Sequence, residues 1–72
     1  MHGKRELKIE CVDSEFIGLY IVRLYEDGKE RYLSKQITED DMDVMRDAMR
    51  WLSGSTPEVL TENFKRVTTE IN

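Results

Sequence analysis

One cysteine, one histidine and one proline stand in this chain of 72 residues. A lone Cys11 excludes an internal disulfide, and a lone His2 leaves no zinc-type ligand set. No apolar run reaches the ~18–20 residues of a membrane span, and no basic–apolar–small pattern marks a signal peptide. With one free thiol and no export pattern, the chain reads as cytoplasmic, with no metal and no cofactor. Basic charge is scarce as well: 11 Lys and Arg face 15 Asp and Glu, for a formal net charge of −4. That balance disfavours general nucleic-acid binding, whose affinity comes largely from Lys and Arg on phosphates. No glycine-rich phosphate loop is present.

Catalytic groups are equally sparse. His2 sits at the chain start without candidate partners nearby. Cys11 falls in an alternating strand pattern, which predicts an inert buried thiol. Ser14, Ser34, Ser53 and Ser55 have no local base to activate them. The chain therefore reads as non-enzymatic. A domain of this size buries only about 60% of the surface its unfolded chain exposes. Such domains lean on a disulfide, a metal or an oligomer. With the first two excluded, self-association or partner binding is the expected supplement.

Hydrophobic residues make up 39% of the chain and charged ones 36%, which suits one compact domain with a heavily charged exterior. Leu7 to Val12 alternates with period two, a strand with one buried face. After turn residues Asp13-Ser14-Glu15, the run FIGLYIVRLY (16–25) is rich in β-branched and aromatic side chains and predicts a second strand. Asp27-Gly28 fits a two-residue type I′ turn, and Glu30 to Gln36 returns as a third strand. Thr38, Asp41, Ile37 and Met42 have the spacing of a capping box with a hydrophobic staple. A helix over about 39–53 follows, with Met42, Met45, Ala48, Met49 and Leu52 as its inner stripe and Gly54 just past its end. A second helix over about 57–70 starts with Thr56 as cap and Pro57 at its first position, or with Ser55 as cap and Glu58 completing the box, and has a seam of Leu60, Phe64, Val67 and Ile71. The predicted fold class is α+β: a three-stranded antiparallel β-meander (about 6–12, 16–26 and 29–36) followed by two α-helices, β-β-β-α-α.

Register decides which sheet face is core. A two-residue turn pairs Val22 with Leu33 and Leu24 with Arg31. An odd first loop puts Leu7, Ile9 and Cys11 beside Ile17, Leu19 and Ile21; an even loop puts them beside Phe16, Gly18 and Tyr20. The odd loop is favoured because it builds one aliphatic face for the methionine-rich helix. Phe16, Tyr20, Val22 and Leu33 are then left on an uncovered face that fits a partner. Trp51, at the margin of the helix stripe, closes the core's edge or anchors that partner. Glu39, Asp40, Asp43 and Asp47 form an acidic helix surface. The acids at the helix start, Glu39, Asp40, Asp41 and Asp43, complement its dipole and could mimic DNA phosphates.

The leading reading is a small acidic protein-interaction module, a homodimer that binds or inhibits another protein through that face. A phage or bacterial inhibitor of a nucleic-acid enzyme is one subtype this composition suits. A second reading comes from element order. Tyr32 to Ile37, a capped helix, Gly54-Ser55-Thr56-Pro57 and a second helix resemble a ribbon-helix-helix domain. That resemblance implies a dimeric DNA-binding transcriptional regulator with a strand pair in the major groove. Only Arg31 and Lys35 would offer basic side chains from such a ribbon, which ranks it second.

Overall fold

The computed structural model describes residues 3–13, 15, 18–55, 57–60 and 62–67. Its elements are β1 (Arg5–Asp13), β2 (Leu19–Glu26), β3 (Lys29–Ser34), α1 (Met42–Leu52), a 3₁₀ turn (Pro57–Leu60) and β4 (Phe64–Arg66). The four strands form one antiparallel sheet in the order β1-β2-β3-β4. The β-β-β-α-α expectation is corrected at its last element. Where a helix over 57–70 was expected, a 3₁₀ turn leads into a fourth strand on β3. Leu60 and Phe64 still reach the core, so the four-residue spacing that suggested a helix serves a turn-plus-strand equally well. The strand wins because it closes an open sheet edge. Lys35 N–H donates to the Asn63 carbonyl at 3.2 Å and Val67 N–H to the Arg31 carbonyl at 2.8 Å. The expected cap Thr56 and seam residue Ile71 lie outside the described residues.

The Asp27-Gly28 hairpin forms as its sequence demands. Asp27 has φ 54° and Gly28 φ 81°, the positive values a type I′ turn needs at both central positions. A bulge then shifts the ladder between Leu24 and Tyr25, so that Leu24 faces Tyr32 and Arg23 faces Leu33. The expected Val22–Leu33 pairing is off by one residue, which moves the β3 side chains from Tyr32 onward to the other face. Tyr32 and Ser34 join Val22 and Leu24, while Leu33 leaves them. Ser34 is buried there, accepting the Val22 N–H at 2.9 Å and donating to the Lys35 carbonyl at 2.7 Å.

Loop parity is also reversed. Leu7 faces Leu24, Ile9 faces Val22 and Cys11 faces Tyr20. A second irregularity between Cys11 and Asp13 pairs Asp13 with Leu19, so β1 extends to Asp13 and β2 starts at Leu19. The core face is therefore the one carrying Tyr20, Val22 and Leu24.

Helix α1 packs on that face with a different stripe from the expected one. Val44, Ala48 and Trp51 are buried, at i, i+4 and i+7. Met45 and Leu52 border the core, and Met42 and Met49 are 76% and 55% exposed. Rotating the stripe this way puts the largest aromatic inside, where the Trp51 ring meets Tyr32 edge-on with centroids 6.0 Å apart. The helix begins three residues later than expected. Asp41 at its N-cap makes no side-chain cap bond, and Thr38 Oγ1 receives only a 3.4 Å contact from the Asp40 N–H. Its C-terminus is a Schellman ending: Gly54, at φ 107°, donates to the Trp51 carbonyl at 3.0 Å and Ser55 to the Arg50 carbonyl at 3.0 Å. Arg5 fastens this end to β1. Its Nη1 donates to the Trp51 carbonyl at 2.6 Å and the Ser55 carbonyl at 3.2 Å, and its guanidinium lies 4.4 Å from the Trp51 ring centre.

Candidate interaction surface

The face away from α1 is held by charge. Arg23 sits between β1 and β3, with Nη2 3.0 Å from Glu10 Oε1 and Nη1 2.7 Å from Glu30 Oε2. The bonds to Glu30 first and Glu10 second raise the pKa of the guanidinium above its ordinary value. Lys8 lies over the Tyr25 ring, 4.8 Å from its centre. Leu19, Ile21 and Leu33 are half-buried on this side. Among the described residues this face carries paired charges and half-buried apolar groups, and Val22, anticipated on an uncovered face, is in the core instead.

Among the described residues the exposed large apolar side chains are Ile9, Val12, Met42 and Met49. Ile9 stands opposite Val22 on the core face, yet it is 52% exposed whereas Val22 is fully buried. Ile9, Tyr20, Ile37, Thr38, Glu39 and Met45 line an open groove of about 250 Å³. Tyr20 and Ile37 are fixed by two backbone hydrogen bonds, Tyr20 N–H to Ile37 O at 2.8 Å and Ile37 N–H to Tyr20 O at 2.9 Å. Met42 and Met49 flank Met45 at i−3 and i+4, so helical geometry extends the groove along the outer side of α1. β1 is the terminal strand of the sheet, and no other described strand pairs with its outer edge. The surface therefore combines an unpaired strand edge with a methionine-lined shelf.

The sequence-predicted contact residues do not form one surface. Val22 and Trp51 are in the core at 0% and 1% exposure. Leu33 is half-buried on the opposite face, paired with Arg23 and Lys65. Tyr20 lines the groove, and Phe16 lies outside the described residues. The acidic set divides as well. Glu39 lines the groove and Asp40 is exposed, whereas Asp43 accepts from Arg46 at 3.1 Å and Asp47 from Asn63 at 2.9 Å. Cys11, expected to be buried, is exposed on β1. Sequence reasoning missed Ile9, Met42 and Met49 as surface residues. The Val44–Ala48–Trp51 stripe was the available signal, since a core built on it pushes the methionines outward.

Among the described residues no group of three or more His, Cys, Asp or Glu is placed to hold a metal ion. No helix among them is long and apolar enough to cross a membrane. β3 lies between β2 and β4, so the strand a ribbon-helix-helix dimer would pair is already hydrogen-bonded on both sides. No protein-family model matches the chain, and no curated protein or solved structure shows significant similarity to it.

Proposed function

We propose that this chain is a non-enzymatic protein-interaction module that receives a polypeptide along the β1 edge and the adjoining groove. The carrying observation is the exposure of Ile9, Met42 and Met49 together with an outer β1 edge that no other described strand pairs. An open edge supplies main-chain donors and acceptors for an added strand, and the flanking side chains give selectivity. Methionines suit such a surface because their flexible thioether side chains adapt to the partner. Mimicry of DNA phosphates has less support, since Asp43 of that cluster is paired with Arg46 within the chain.

The test compares capture of polypeptide partners on immobilised wild type with capture on a Met42→Glu/Met49→Glu variant. Both positions are exposed, so the variant keeps the wild-type circular dichroism spectrum. Partners held by wild type and lost by the variant support the reading. Equal recovery on both would remove the groove from it.

A further inference from the structure

We propose that the polypeptide received by β1 is the β1 strand of a second copy, antiparallel and related by a two-fold axis at Ile9. This rests on the interaction-module reading and names its partner. The strand reads Arg5-Glu6-Leu7-Lys8-Ile9-Glu10-Cys11-Val12-Asp13. Centred on Ile9, each Lys8 falls opposite Glu10 of the other copy, on the charged face. On the core face Ile9 meets Ile9 and Leu7 meets Cys11, while the irregularity after Cys11 sets Asp13 on the other face. Opposite charges directly across a ladder stabilise it and like charges oppose it.

Neighbouring registers are far less suitable. An axis perpendicular to the sheet sets one residue opposite its own copy, so the register moves in steps of two. Centring on Lys8 sets Lys8 against Lys8 and Glu6 against Glu10 twice. Centring on Glu10 sets Glu10 against Glu10 and leaves Lys8 opposite Val12. Only the Ile9 register matches the charges, and its pairs from Leu7 to Cys11 lie within the regular part of β1. Glu10 already accepts from Arg23 at 3.0 Å, so each Lys8 of one copy extends an Arg23–Glu10 pair of the other into a row of three charges.

The same symmetry accounts for the exposed apolar side chains. A perpendicular two-fold axis keeps both core faces on one side of a continuous eight-stranded sheet. Both α1 helices then stand on that side, with Met42 and Met49 of each turned toward the Ile9 pair. An isologous contact of this kind closes on itself and uses both β1 edges, so that β4 becomes the terminal strand at each end of the sheet. It also supplies the oligomer that a 72-residue domain without a disulfide calls for.

Thiol cross-linking of the purified protein tests the register. In a Cys11→Ser background, Ile9→Cys is expected to form a disulfide-linked dimer under mild oxidation, at least tenfold faster than Lys8→Cys. With native Cys11 retained, Leu7→Cys is expected to cross-link as well. Separately, Lys8→Glu and Glu10→Lys should each weaken self-association at least tenfold, and an equimolar mixture should recover it as a heterodimer. Faster cross-linking at position 8 than at 9, or a wild-type mass that stays monomeric at every concentration, would overturn self-pairing. A monomer that still loses its captured partners through Met42→Glu/Met49→Glu would refute self-pairing and leave the interaction-module reading standing.

Discussion

Replacing Arg5 with Met is expected to be among the most destabilising single changes outside the apolar core. Arg5 bonds the Trp51 and Ser55 carbonyls at the end of α1, pairs with Glu26 at 3.2 Å and lies over the Trp51 ring. Hydrogen bonds from a charged donor contribute about 1.5–3 kcal/mol each, and a partly desolvated cation–π contact about 0.5–2 kcal/mol. These terms are not additive, and Met keeps part of the packing. A net loss of about 2–4 kcal/mol is the expectation, against a total stability of about 4–11 kcal/mol for a domain of this length. At about 4–8 °C per kcal/mol, Tm falls by roughly 10–25 °C. Arg5→Lys should fall between the two, because an ammonium keeps the charge but lacks the planar fork that reaches two carbonyls. Thermal and urea unfolding followed by circular dichroism at one fixed protein concentration reads these differences. Loss of less than about 0.5 kcal/mol in Arg5→Met would refute the role of Arg5 as the tie between β1 and the helix end, since that is the range of an ordinary surface change.

Other substitutions probe the core and the turn. Ser34→Ala leaves the buried Val22 N–H without its acceptor and should cost about 1–3 kcal/mol in urea unfolding. Met42→Gln and Met49→Gln should each change stability by less than about 0.5 kcal/mol, whereas Trp51→Ala should cost about 3–5 kcal/mol; the reverse ranking would restore the methionine-centred stripe. Gly28→Ala places a side chain at φ 81° and should lower stability by about 1 kcal/mol, with no steric contribution because nothing lies within 4 Å of the added Cβ.

Local chemistry made several elements legible. Asp27-Gly28 demanded a hairpin because both residues take positive φ, and Gly54 marked the end of α1 for the same reason. The alternation in β1 was readable too, but not the face it serves. Two irregularities, beside Tyr25 and beside Asp13, each shift the ladder by one residue. With a side-chain period of two, such shifts reverse the faces, and nothing in the local sequence announces them. That is why Val22 belongs to the core and Leu33 to the charged face. The second helix failed for a related reason: Leu60 and Phe64 are buried in either conformation, and the deciding factor was the open edge of β3, which is a property of the assembled sheet. Helix α1 offered two apolar stripes, and the aromatic one won the core. The candidate surface follows from that rotation, so it could not be found while the methionines were assigned inside.

Sedimentation equilibrium of wild type beside Ile9→Lys tests self-pairing through β1 most directly. Ile9 is 52% exposed in the single chain, so Lys there is compatible with the fold, and in the dimer it would set two ammonium groups together on the axis. Wild type should give a dimer mass in the micromolar range, and Ile9→Lys a monomer with an unchanged circular dichroism spectrum. The same mass for both proteins, monomeric or dimeric, would contradict pairing at Ile9.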